Sequence, residues 1–323
     1  MSTQSVNYDF ILTLQMAQKY LYQYVVLVLM ILGTIGCVFS LIVFTKTTFR
    51  KNPCSLYMIA YYIGNLTHIY TIILPSMLVF GYNQSISVQS IDACRFIIYM
   101  AVVLNVLCPS YLIFASIDRI LITSSNATTR QRSTVRLAFI SVISITLFWF
   151  LCDTHVLVFT KIFEVVTNYF VCSFQGGLYL TVFIYYSTTR ALLIPFILAI
   201  LGYWAIRNIR QVGKHRVHAT GSNFETPAQI NQQQIQSKDR QLIRIVLMDI
   251  VIYILSSFPL AIVSIYLQTI QYDVKTQEQS QINSFINYIC VCIGYIPYCI
   301  GFYKNLFTSK TFRSEFMNIF LRK

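Results

Sequence analysis

Asp118, Arg119, Asp153, Arg190 and Asp249 lie within or at the edges of long apolar stretches of this chain. An ionised group in hydrocarbon is costly, so each is expected to be paired or functional. Their spacing does not suit covalent chemistry. An enzyme acting inside a membrane would need His, Asp or Glu clustered on facing segments, whereas His68 and His155 stand singly and far apart. Each histidine is expected to hydrogen-bond between helices. No Cys or His group has the spacing of a zinc site, and neither metal nor cofactor is implied. A transporter or ligand-gated channel, the main alternative, would need charges lining a path and helices broken at midplane. Scattered single charges do not mark such a path, and the halves show no duplicated hydropathy pattern.

The elements that must position these groups follow from composition. The 323 residues are 56% hydrophobic and 11% charged, against about 25% charged in soluble domains. Too few charges remain to coat a water-facing surface. About 20 apolar residues cross a bilayer as a helix, and seven stretches qualify: 22–45, 54–80, 94–117, 137–159, 179–206, 242–268 and 282–303. The expected fold is a single all-α membrane domain, a bundle of seven transmembrane helices. The first, third and fifth connections and the C-terminal segment carry 19 of the 24 Lys and Arg. Basic loops stay in the cytoplasm, so residues 1–21 are expected outside and the C-terminus inside, at the plasma membrane. The net charge of +13 is divided among short loops and presents no folded basic face, which argues against nucleic acid and for anionic inner-leaflet lipid. Residues 1–21 lack a basic start and an apolar core, so the first span is expected to act as its own insertion signal.

Residues 207–241 hold a Gln-rich polar run with little to pack, expected to form a flexible third cytoplasmic loop that can extend the flanking helices. Over residues 307–323, Phe312, Phe316 and Phe320 recur at i, i+4 and i+8 among basic residues, which predicts an amphipathic helix on the inner membrane surface; the alternative is a frayed basic tail. Cys94 opens the third span and Cys172 lies in the second outer loop, both facing an oxidising compartment. A Cys94–Cys172 disulfide is expected, against the alternative of two free thiols.

Cys94 is followed one span later by Ser116-Ile117-Asp118-Arg119-Ile120. This resembles the Asp-Arg-Tyr signature of rhodopsin-like (class A) G-protein-coupled receptors. Trp149, Pro195 with Tyr203 eight residues on, Pro259 and Phe312-Arg313 resemble further landmarks of that family. The ending FYKNLFTSKTFRSEF and the short termini resemble invertebrate peptide receptors of the FMRFamide type. The resemblance implies a receptor, not an enzyme, that binds an extracellular ligand, a short peptide in the FMRFamide case, and activates a heterotrimeric G protein by outward movement of the sixth helix. It implies that Arg119 is held at rest by Asp118 and Asp239, with Tyr203 stabilising the open form near it; the alternative is a boundary arginine that snorkels to headgroups.

Several positions depart from the family pattern. Cys37 replaces the first-span Asn, and Asn65 the second-span Asp that helps hold sodium. Tyr253 stands six residues before Pro259, and Ser257 takes the usual Trp position. Phe302 and Asn305 fall where the Pro and Tyr of the Asn-Pro-x-x-Tyr motif belong. These altered switches leave open a receptor that is constitutive or silent. Asp249 is expected to approach Asn65, Asn305 or Lys304 and replace part of the missing polar network; the alternative is a protonated acid bonded nearby. Asp153 has no sequence-local partner. At the ligand positions implied by the resemblance stand Ala101, Asn105, Ser187, Arg190, Ser257, Asn287 and Tyr295. Ala101 sits where amine receptors carry an Asp, which disfavours a biogenic amine, and Tyr295 falls near the opsin lysine position, which excludes a retinal pigment. Arg190 is placed to meet an anionic group, or else to snorkel. Asn83-Gln84-Ser85 is an outer-loop glycosylation sequon.

Overall fold

The computed structural model describes the backbone of residues 2–50, 52–84, 86–124, 126–166, 169–217, 227–270 and 273–321, and side chains over most of them, residues 209–240 being the main exception. Seven helices long and apolar enough to cross a membrane run through it: α1 (Tyr8–Phe44), α2 (Pro53–Tyr82), α3 (Ile91–Ile122), α4 (Val135–Phe159), α5 (Leu178–Asn208), α6 (Gln241–Thr269) and α7 (Gln277–Cys299). Two short helices follow, α8 (Gly301–Thr308) and α9 (Lys310–Leu321). The protein is therefore a mostly helical multi-pass membrane bundle.

Local sequence sets the starts. Asn52 accepts the amide of Cys54 and precedes Pro53, whose missing N–H costs nothing at a first helical position. Ser90 and Thr134 cap α3 and α4 through the amides of Ala93 and Leu137, and Thr276 with Gln279 forms a reciprocal capping box at α7. Asn83 ends α2 in the left-handed conformation. Ser309 is extended; its hydroxyl accepts the amide of Phe312 and so restarts the chain as α9.

Helix extends beyond the apolar stretches at several ends. Residues 2–20 are already helical and run into α1. Across the 207–241 connection, α5 continues to Val217 and the helix containing α6 begins at Pro227. Polar Gln-rich sequence propagates a helix once an apolar segment has nucleated it, because elongation is far easier than initiation.

Helix α3 sits at the centre, with 56% of its apolar window buried, while α4 buries 11% and presents its outer face to lipid. α3 packs against α2, α4, α5 and α6, and α7 closes the ring between α6 and α1. Gly33 permits the closest approach: a Cβ there would lie 2.8 Å from Ile69 Cδ1 and 3.1 Å from the Cα of Cys299. Small residues at such crossings let helices pack where no hydrophobic effect drives them together.

Between α4 and α5 the chain forms an antiparallel hairpin, β1 (Thr160–Val166) with β2 (Tyr169–Phe174), in which Ile162 faces Cys172. Cys172 is disulfide-bonded to Cys94 at the start of α3. The hairpin is thus tied to the central helix.

At the opposite end Phe312 is fully buried against Phe44 and Phe302, and Phe316 packs on Phe39 and Phe302. The apolar face expected of the terminal helix is docked on α1 and α8. The side chain of Phe320 lies outside the described residues.

Candidate functional site

Four polar clusters among the described residues hold the intramembrane charged groups singled out in the sequence and several of their neighbours. The first lies at the Arg119 end of α3. Arg119 is 1% exposed; its Nη2 donates to Asp118 Oδ2 at 2.6 Å and to Asn52 Oδ1 at 2.7 Å. The Ser133 hydroxyl, from the connection between α3 and α4, donates to Asp118 Oδ1. A buried guanidinium is thereby held by two charge-assisted bonds, one to a carboxylate and one to a neutral amide oxygen, across three elements. Asn52 acts twice, capping α2 and accepting from Arg119 through the same oxygen. Neither Asn52 nor Ser133 was marked by the sequence; their only signal is an Asn-Pro helix start and a hydroxyl just before the Thr134 cap.

Asp239 lies in the helical run leading into α6, and its side chain lies outside the described residues. Tyr203 points away from the core, 66% exposed on α5, so in this conformation it stands apart from the buried Arg119. Tyr253 is buried on α6, six residues before Pro259, which lies within that helix.

The second cluster joins α6 to α8. Lys304 and Asp249, both buried, form an ion pair, and Lys304 Nζ also donates to the carbonyl of Ile245 at 3.2 Å. Among the three partners considered for Asp249, the fold brings up Lys304. Asn305 instead donates to the Tyr62 hydroxyl at 2.6 Å, and Asn65 is buried on α2 on the same face as Tyr61, whose hydroxyl donates to the carbonyl of Pro297.

The third cluster couples α4 and α5. Arg190 Nη1 lies 3.3 Å from both carboxylate oxygens of the fully buried Asp153, its guanidinium stands 4.1 Å over the Tyr186 ring, and the Tyr186 hydroxyl donates to Asp153. Arg190 is therefore not the unpaired cation that its sequence position offers to a ligand: its charge is already met by Asp153. The two residues are 37 apart in sequence, so their meeting depends on how α4 and α5 pack.

The fourth cluster lies between α2, α3 and α7. His68 stacks on Tyr298 with ring centroids 3.8 Å apart, and its Nε2 is 3.2 Å from Asn105 Oδ1. The Tyr298 hydroxyl also donates to Asn105, and that of Tyr295 to Ser76. His68 bridges helices as expected. Asn105 is exposed between buried neighbours on the central helix while touching α2 and α7.

The remaining ligand positions are dispersed. Ala101 is half-buried one turn from Asn105. Ser187 and Ser257 donate to carbonyls of their own helices, Ile184 and Tyr253, which is helix back-bonding. Asn287 is half-buried on α7. A cavity of about 590 Å³ opens elsewhere, between α3 and α4 near the disulfide, lined by Asp92, Arg95, Phe96, Tyr99, Leu157 and Val158. None of these was a sequence-derived candidate. Among the described residues, no three His, Cys, Asp or Glu side chains group to hold a metal ion. His155 is exposed, its Nδ1 2.9 Å from the carbonyl of Cys152.

Seven spans with α3 at their centre, a disulfide at one end and a pinned Asp-Arg pair at the other define a seven-helix membrane receptor. The family model described as 7 transmembrane receptor (rhodopsin family) matches residues 36–301, and the chain belongs to that family. No curated protein matches the chain.

Proposed function

We propose that this protein is a plasma-membrane receptor that binds an extracellular ligand, a short peptide of the FMRFamide kind, and activates heterotrimeric G proteins. The disulfide end faces outward and the Arg119 end inward, in keeping with the Lys and Arg bias of the connections. The observation that carries the reading is the burial of Arg119 under Asp118 and Asn52 at the end of the central helix. A guanidinium held this way is a switch: moving α6 outward opens a groove in which Arg119 meets the C-terminal helix of a Gα subunit, a helix-in-groove mode. Asp239 adds to the restraint at rest. Rotation of α5 brings Tyr203 inward to support the open form, and Tyr253 and Pro259 give α6 its pivot.

The ligand enters from the disulfide end and reaches Asn105, Tyr295 and Asn287, with Ala101, Ser187 and Ser257 shaping the walls. Arg190 contributes through its pairing with Asp153, which fixes α5 against α4, rather than as a free anion contact. The basic face of α9 rests on anionic inner-leaflet lipid.

The test is second-messenger output, cAMP and calcium, in cells expressing the chain or its Arg119→Ala variant, challenged with a pooled library of short amidated peptides. A peptide response present in the first and lost in the second supports the proposal. Ion flux without second-messenger change would move the reading to a channel.

A further inference from the structure

We infer that the Asp249–Lys304 ion pair is the centre of a latch that staples the Arg119-end half of α6 to α8 and α9, and that this latch sets the resting position of α6. Three α6 positions take part, Gln241, Ile245 and Asp249, spaced at i, i+4 and i+8 and therefore on one face of the helix. Gln241 Oε1 accepts from the Ser309 hydroxyl at 2.9 Å and from the Thr311 amide at 2.6 Å. The carbonyl of Ile245 accepts from Lys304 Nζ at 3.2 Å, and Asp249 pairs with the same ammonium.

The far side of the latch is anchored. Asn305, adjacent to Lys304, donates to Tyr62 of α2 at 2.6 Å, and a Cβ on Gly301 would meet the Tyr62 ring at 2.9 Å, so this backbone lies directly against α2. Phe302, Phe312 and Phe316 pack with Phe39 and Phe44 of α1. Lys304 is thus fixed to α1 and α2, and α6 is the element free to leave.

The chemistry makes the latch two-state. Lys304 and Asp249 are both buried, and an ammonium and a carboxylate separated in a low-dielectric interior lose their attraction before either regains water. α6 is therefore held closed or released, with little in between. Lys304 and Asp249 act as positioning residues. The inference rests on the receptor reading only for the direction in which α6 moves.

The experiment reads α6 position without a G protein or a ligand. Spin labels are placed at Thr128→Cys, in the short helix between α3 and α4, and at Arg244→Cys, exposed on α6, in a Cys152→Ser background that removes the one exposed free cysteine among those described. Distance distributions are recorded for the full chain in lipid nanodiscs. Lys304→Met, which leaves the Asp249 carboxylate buried without its ammonium, is expected to raise the long-distance population about fivefold or more. The exchanged pair Asp249→Lys with Lys304→Asp should return it toward the parent value, and Gln241→Ala, at a half-buried site, should raise it less. Lys304→Met with the parent distribution, or an exchanged pair that behaves like Lys304→Met, would overturn the latch. If neither Lys304→Met nor the exchanged pair folds, Gln241→Ala decides, and an unchanged distribution overturns it. Loss of coupling to G proteins with these distances as expected would count against the receptor reading alone.

Discussion

Replacing Asp118 by Asn removes a charge from the Arg119 cluster while keeping size and shape. The carboxylate accepts from Arg119 on one oxygen and from Ser133 on the other. An amide has a single acceptor oxygen; when that oxygen accepts from Arg119, the NH2 faces the Ser133 hydroxyl, which can turn to accept it, so what is lost is the ionised acceptor opposite Arg119. Losing a hydrogen bond to a charged group costs about 1.5–3 kcal/mol. If Arg119 leaves this cluster on activation, that cost falls on the resting state alone, and the resting-to-active equilibrium shifts about ten- to a hundredfold. Ser133→Ala removes one donor to the carboxylate and leaves the Arg119 pair, so the low end of that range, about 1.5 kcal/mol and about tenfold, is expected. The assay is basal second-messenger output normalised to surface protein in the same cells. The expected order is Asp118→Asn above Ser133→Ala above the parent chain. Basal output equal in all three, or highest in Ser133→Ala, would refute the reasoning.

Other outcomes follow from the packing. Asp153→Asn leaves Arg190 beside a neutral group; breaking this partly buried pair should cost about 3 kcal/mol, read as a lower midpoint in a thermal melt followed by a thiol-reactive dye that reports the buried cysteines. Gly33→Ala drives a methyl against the Cys299 backbone, which cannot yield as a side-chain tip would, and overpacking of this kind costs about 1–3 kcal/mol in the same melt. Phe312→Ala empties a fully buried ring site between α1 and α8, costing about 3–5 kcal/mol; faster proteolysis of the C-terminal segment would register α9 coming off the bundle.

The spans were legible because hydrocarbon thickness imposes a length that composition alone meets, and the Cys94–Cys172 bond because Cys94 at the outer start of the third span and Cys172 in the second outer loop were expected to face the same oxidising side. Interhelical pairings were less so. Lys304 could be named beside Asn65 and Asn305 as a partner for Asp249, since all three were polar groups in a region lacking the usual ones, but choosing among them needed the rotation of α6 about its axis. Asp153 and Arg190 were each conspicuous as intramembrane charges, and nothing local says that they meet. The hairpin at 160–174 was hidden because it depends on neighbours, the disulfide to α3 among them, and the extension of the flanking helices into 207–241 could be anticipated but not its reach to Val217, which depends on an already formed α5. Tyr203 marks a further limit: its spacing eight residues after Pro195 was legible, but that it points away from the core depends on the rotation of α5.

The most direct test of the central claim is nucleotide exchange on purified Gα with βγ, catalysed by the chain in nanodiscs containing anionic lipid. The account predicts exchange above the receptor-free rate for Asp118→Asn, the variant whose resting state is weakened, and exchange at the receptor-free rate once Arg119→Ala is added to it. Equal exchange with and without Arg119, across several Gα classes, would contradict the assignment of that residue as the coupling switch.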